Sequence, residues 1–168
     1  MLSDITHELG GCQFWRYAHN ISSGLQEYIE AFSFVNYIES GGLVSYEQVQ
    51  TNLCDGNGQP LFPLPSSDYV LGLCDLTGEL MRFAISSISK PVGRMKASQI
   101  SLIVRGCKAG RACSVLTYQV KSSKSLLDFE TLTPYIYELH KKQAVTGQSL
   151  RKIEEGRLVL HTNLVGVF

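Results

Sequence analysis

The chain has 168 residues, of which 44% are hydrophobic, and 15 basic residues balance 15 acidic ones. This length and composition predict one globular domain with a sizeable core over residues 1–168. The sequence contains no apolar run near the roughly 18 residues of a membrane span. Its first residues, MLSDITHELGG, are too acidic and lack the apolar core of a signal peptide. We therefore expect a cytoplasmic and nuclear protein that does not enter a membrane.

The cysteine spacing and the charge distribution indicate which kinds of site the chain could contain. Five cysteines stand at scattered spacings without C-x-x-C pairs, which favours reduced thiols over disulfides or a zinc site. Up to Met81 there is one basic residue against ten acidic ones, and from Arg82 onward fourteen basic residues against five acidic ones. The basic half could meet phosphates and the acidic half could hold cations, or the halves could simply neutralise each other across the fold.

The first predicted element is a helix from Phe14 to about Ser40, interrupted or restarted near Ser22–Gly24 and ended by Gly41–Gly42. One apolar stripe follows helical spacing and comprises Leu25, Tyr28, Ile29, Phe32 and Val35. The other face carries Glu27 and Glu30 beside Phe34, Tyr37 and Ile38. A solvated face rarely keeps such residues next to its carboxylates, so we expect this face to be covered as well.

A second long helix is predicted over residues 68–86, after a short segment at 46–53 and a loop at 54–67 that ends in a serine cap. Its polar side chains form one stripe about 80° wide, and the rest of its circumference is apolar. The stripe comprises Gly72, Asp75, Glu79, Arg82 and Ser86. A helix this apolar must pack among other helices, which predicts an all-α antiparallel bundle.

The second half of the chain has a weaker pattern. Residues 90–125 are rich in Lys, Arg, Ser and Gly, and their apolar fragments predict a short hairpin or an irregular insertion. Helical character returns over about 126–155. The tail at 156–168 has a β-like composition with no obvious place in a bundle.

Four carboxylates on the two long helices are the candidate metal-binding groups: Glu27, Glu30, Asp75 and Glu79. Hard cations such as Mg²⁺ prefer oxygen ligands, and a cluster of acids can hold one. Spacing alone, however, favours solvated charges with Asp75 or Glu79 paired to Arg82. A di-iron bundle is disfavoured, because the Glu-x-x-His motif that such proteins use is missing.

Two segments, FWRYAHNISSGLQEYIEAFSFVNYI and DYVLGLCDLTGELMRFAISS, resemble the signature helices of translin-associated factor X (TRAX) in the translin family. A weaker similarity lies in YELHKKQAVTGQSLRKIEEG. The family-like parts are thus residues 14–89 and about 126–155, with an atypical insertion at 90–125 and an atypical tail at 156–168. Only thirteen residues precede FWRY, so we expect a truncated or mis-spliced member of the family.

The resemblance implies a translin-like helical bundle that assembles with translin and cleaves single-stranded RNA with Mg²⁺, or with Mn²⁺ in its place. By motif position, the catalytic and metal-binding acids would be Glu27, Glu30, Asp75 and Glu79, and Arg82 would bind phosphate. Single-stranded DNA is a further expected partner. The alternative is a non-catalytic scaffold that binds translin and nucleic acid.

Overall fold

The computed structural model describes residues 13–88, 90, 93–108 and 135–165. The described regular structure is helical, and no strand is present in these ranges apart from an isolated bridge between Cys54 and Pro60. The helices are α1 (Gln13–Ser40), α2 (Tyr46–Asn52), α3 (Ser66–Ile88), α4 (Gly93–Lys108) and α5 (Leu139–Val165). The predicted all-α class is therefore confirmed.

Helix α4 corrects the prediction of a hairpin or irregular insertion at 90–125. Gly93–Lys108 is a continuous helix, whereas residues 109–125 lie outside the described part of the chain. Its buried residues recur every three or four positions, which is the pattern of an amphipathic helix, and they include Ala97, Ile100, Val104 and Cys107. The β-branched residues were misleading because burial in tertiary structure overrides their weak strand preference.

The other long helices are more continuous than predicted. Helix α1 runs unbroken through Ser22–Gly24, because the Ser22 hydroxyl bonds to Asp68 of α3 instead of capping a new helix. Helix α5 continues to Val165, so the prediction of a β-like tail from 156 is wrong as far as that residue. Residues 126–134, where this helix was predicted to start, lie outside the described part of the chain.

The chain divides into two compact units, Met1–Leu73 and Cys74–Phe168, and the boundary falls within α3. In the first unit, Phe14 stacks on Phe62 at 5.3 Å between ring centroids. Tyr69 meets the edge of Tyr46 at 5.5 Å and donates its hydroxyl to the Val44 carbonyl. The first contact packs the start of α1 against the loop between α2 and α3. The contacts of Tyr69 pack the first turn of α3 against α2 and against the connection between α1 and α2.

The buried line of α1 is Leu25, Ile29, Ser33 and Tyr37, four residues spaced one turn apart. Val35, predicted on the core stripe, is 52% exposed, whereas Tyr37, predicted on the carboxylate face, is buried. The core-facing line is thus rotated from the predicted stripe. Helix α1 ends at Gly41, whose φ of +76° lies in the left-handed region that glycine adopts freely.

In the second unit, α4 and α5 pack along each other. Arg105 of α4 forms an ion pair with Glu154 of α5, and Arg157 donates to the Ser101 hydroxyl at 3.4 Å. Among the α5 side chains whose burial is described, up to residue 159, the buried apolar ones are Leu139, Leu150 and Ile153. No helix among the described residues is long and apolar enough to cross a membrane.

Candidate functional site

The two acids of α1 differ in exposure. Glu27 is exposed and Glu30 is half-buried, three residues further along the same helix. Leu25 and Ile29, which are both buried, hold this stretch of helix in place. The rigid backbone therefore keeps the two carboxylates about one helical turn apart.

Asp68 is a buried carboxylate in the first turn of α3 that is 5% exposed. It accepts hydrogen bonds from the Ser22 hydroxyl at 2.5 Å and from the Gln26 side-chain amide at 2.9 Å. Both donors are neutral, so the negative charge is stabilised by hydrogen bonds and by the positive end of the α3 dipole. The sequence analysis did not single out Asp68, although an acid in the first turn of a helix is a usable signal.

Gly72 lies at a close approach between α3 and α1. A Cβ atom added there would stand 2.9 Å from Cβ and Cγ2 of Ile29 and 3.0 Å from the Gln26 carbonyl oxygen. The backbones can come this near only because residue 72 lacks a side chain. The glycine of the predicted polar stripe thus serves helix packing.

Asp75 lies on α3 beyond this contact and has a charged partner. Its Oδ2 accepts from Lys142 Nζ of α5 at 2.5 Å, and the two side chains are 35% and 21% exposed. The contact continues one turn along α5, where the Thr146 hydroxyl lies 3.2 Å from the Thr77 hydroxyl. An ion pair and a buried hydroxyl pair therefore join α5 to this part of α3.

Glu79 forms an ion pair with Arg82 on the same helix. This is one of the two pairings that the spacing of the acids favoured, so that interpretation is confirmed. The Arg82 side chain is 68% exposed, and its predicted role in binding phosphate stays a prediction.

The thiol of Cys74 is buried beside Asp75. Burial raises the pKa of Cys74 to about 12, and the negative charge of Asp75 acts in the same direction. Lys142 and the hydrogen bond with Thr146 act in the opposite direction and are outweighed. Cys74 is therefore a neutral, protonated thiol at physiological pH and a poor nucleophile.

The four predicted acids divide between the two units: Glu27 and Glu30 lie in the first, Asp75 and Glu79 in the second. Within the ranges that the structure describes, no group of three or more His, Cys, Asp or Glu side chains is placed to hold a metal ion. Cationic side chains lie against Asp75 and Glu79. The predicted metal site at these four acids therefore stays a prediction.

Lys142 is the other residue of this region that the sequence analysis did not single out. It lies in the LHKKQ segment, whose pattern marks only a polar helix surface. Helical spacing relates residues within one helix, whereas the contact with Asp75 spans 67 positions of sequence. No signal within the single sequence could have paired the two.

Comparison with known proteins supports the resemblance of the signature helices. The model of the translin family matches residues 1–161, which include the whole insertion at 90–125. The chain is 29% identical to the translin-associated protein X homolog of Schizosaccharomyces pombe over 153 residues, covering 91% of this chain and 56% of that protein.

Mammalian proteins match a shorter part of the chain. Translin-associated protein X of Rattus norvegicus is 33% identical over 103 residues, and that of Pongo abelii is 35% identical over 104 residues. Each match covers 50% of this chain and 36% of the relative. The chain thus spans between about a third and just over half of these relatives. Because the family model matches nearly its full length, the chain belongs to the translin family.

Proposed function

We propose that this chain is a TRAX-type subunit that assembles with a translin-type partner and, in that assembly, hydrolyses single-stranded RNA. The observation that carries the proposal is the family match over residues 1–161, together with relatives named translin-associated protein X. The positions of the acids support it, because Glu27 and Glu30 lie one turn apart on α1, and Asp75 and Glu79 one turn apart on α3.

Mg²⁺, or Mn²⁺ in its place, is part of the proposal as the cofactor, with these four acids as the expected ligands. Carboxylate oxygens are the donors that such hard cations prefer. The described arrangement pairs Asp75 and Glu79 with cationic side chains. The proposal therefore requires these cationic side chains to give way to the metal ion in the assembled complex.

Charge in the second unit supports contact with nucleic acid. Helix α4 carries exposed basic residues, namely Arg94, Lys96, Arg105 and Lys108. Basic side chains on one helix provide a sequence-independent attraction for phosphates. The expected nucleic acids are single-stranded RNA and, as a further partner, single-stranded DNA, in the cytoplasm and the nucleus.

The second candidate is a non-catalytic scaffold that binds translin and nucleic acid. The observation that favours it is the pairing of Asp75 with Lys142 and of Glu79 with Arg82, because acids neutralised in this way need no metal ion. A scaffold retains the assembly and the basic surface while the acids contribute only to local structure.

The test is cleavage of a labelled single-stranded RNA by the full chain co-purified with a translin-type partner. We expect Glu27→Ala and Asp75→Ala to lower cleavage by at least about a hundredfold, as loss of a catalytic group does, while size-exclusion chromatography shows unchanged assembly. EDTA should abolish wild-type cleavage. Glu47→Ala removes another exposed acid, on α2, and serves as the matched control.

Cleavage that both variants leave intact would contradict the assignment of the acids. A complex that assembles and binds RNA but never cleaves it, with or without chelator, would instead establish the scaffold.

A further inference from the structure

The contact between Asp75 and Lys142 is less exposed than the other ion pairs among the described residues. Lys142 Nζ lies 2.5 Å from Oδ2 of Asp75, and its side chain is 21% exposed. Surface pairs usually contribute little, because solvent screens them and both side chains lose freedom. The lower exposure of Lys142 reduces the screening of this pair by solvent.

Two features of α5 hold Lys142 in this position. Thr146, one turn further along, is 1% exposed and lies 3.2 Å from the Thr77 hydroxyl on α3. Leu139, one turn before, is fully buried. Because a helix is rigid over two turns, these anchors fix the part of α5 that presents Lys142 to Asp75.

The ammonium group therefore occupies the place next to Asp75 where a cation would bind. A carboxylate attracts a divalent ion and an ammonium group by the same electrostatic force, and two cations within a few ångströms repel each other. A hydrated divalent ion can approach this oxygen only if Lys142 moves away or loses its charge.

We infer that Lys142 is a tethered competitor that closes the Asp75 carboxylate to divalent cations in the isolated chain. The inference rests on the proposed function only in taking a divalent cation as the ligand. It gives the chain an autoinhibitory contact between α5 and α3. Removing the charge of Lys142 opens Asp75 to a cation, and any partner that draws the side chain away has the same effect.

The test measures binding of Mn²⁺ alone to the full 168-residue chain by electron paramagnetic resonance titration. Lys142→Met removes the charge and keeps the length of the side chain. We expect it to tighten Mn²⁺ binding by about two- to fivefold, the effect of one partly exposed ion pair. Adding Asp75→Asn to Lys142→Met should abolish the gain, because the liberated carboxylate is then absent.

Lys141→Met is the matched control. Lys141 is exposed, lies next in sequence to Lys142 and places its Nζ 5.6 Å from the centre of the Tyr137 ring. The substitution changes net charge equally, so a general electrostatic effect would raise the affinity in both variants. Lys142→Arg, which keeps the charge, should bind Mn²⁺ as weakly as the wild type. Lys142→Gln, a second neutral substitution, should show the same gain as Lys142→Met and tests the inference if Lys142→Met does not fold.

Equal Mn²⁺ affinity in the wild type and Lys142→Met would overturn the inference, as would an equal gain in Lys141→Met. So would tighter binding by Lys142→Arg. None of these results bears on the proposed function, which RNA cleavage by the assembled complex decides separately. A tighter Mn²⁺ site in Lys142→Met, found together with an assembled wild-type complex that never cleaves RNA, would support the inference and reject the enzyme.

Discussion

Helix α3 contains two segments that are stabilised by different kinds of interaction. Its first part, up to Leu73, contacts α1 through the bare backbone of Gly72 and the buried carboxylate of Asp68, which neutral donors satisfy. Its later part contacts α5 through the ion pair of Asp75 and a pair of threonine hydroxyls. The first segment is fixed by shape and hydrogen bonds, whereas the second depends on charge.

The difference indicates which acids of one helix are structural and which are available for chemistry. The Asp68 carboxylate is 5% exposed and accepts hydrogen bonds from two neutral donors. If it moved away, both donors would lose this acceptor, which is unfavourable in a buried position. A carboxylate held by one partly exposed lysine can exchange that cation for another. Asp68 therefore belongs to the fold, whereas Asp75 becomes accessible to a ligand once Lys142 moves away.

The largest effect should come from filling the space at Gly72. We expect Gly72→Ala to lower the free energy of unfolding by about 2 to 3 kcal/mol, because the added methyl meets both Ile29 and the Gln26 carbonyl. Urea denaturation followed by circular dichroism measures the change.

Gly78 on the same helix is the matched control, because a Cβ atom there meets nothing within 4 Å. Gly78→Ala should raise the free energy of unfolding by about 0.5 to 1 kcal/mol through better helix propensity. The same sign for both variants would contradict the close approach of α3 to α1.

A smaller effect is expected from removing the buried acid. Asp68→Ala should lower the free energy of unfolding by about 1 to 2 kcal/mol, because it leaves the Ser22 hydroxyl and the Gln26 amide without their shared acceptor. Asp75→Ala should lower it by at most about 1 kcal/mol, since that pair is partly exposed. An equal loss in the two variants, measured by the same denaturation, would remove the distinction between the two segments.

The smallest effect near neutral pH concerns Cys74, where the charged segment begins, because it develops only in alkaline solution. Its folded-state pKa of about 12 exceeds the ordinary value of 9.0, so above pH 9.0 the unfolded chain releases a proton that the folded chain retains. This contribution to stability is complete below pH 9.0 and is lost as pH rises towards 12, by up to about 1.4 kcal/mol per pH unit.

Comparing the wild type with Cys74→Ala across this pH range isolates the contribution, because the variant lacks the titrating thiol. Alkylation mapped by mass spectrometry provides a second measurement. The half-exposed Cys54 should be modified well before Cys74, which is buried. Modification of Cys74 at the same rate as Cys54 would show that the thiol is not buried.

Much of the fold could be predicted from local pattern. The long helices around residues 14–40 and 68–86 followed from the periodicity of their apolar residues, and Gly41 marked the end of the first. The helix at 93–108 could not be predicted from composition, because its β-branched residues and basic charge resemble a strand or a loop. Packing of its buried face against α5 stabilises this segment as a helix.

The sequence by itself determined the all-α class, the two long helices and the positions of four acids at helical spacing, because each of these depends on residues within a few turns of one another. Only the tertiary structure decided that Asp68 is buried under Ser22 and Gln26, that Gly72 is a contact point, and that Asp75 is paired with Lys142. These contacts join residues more than forty positions apart. Helical periodicity carries no information at that range, since it fixes which residues share a face and leaves open what that face meets.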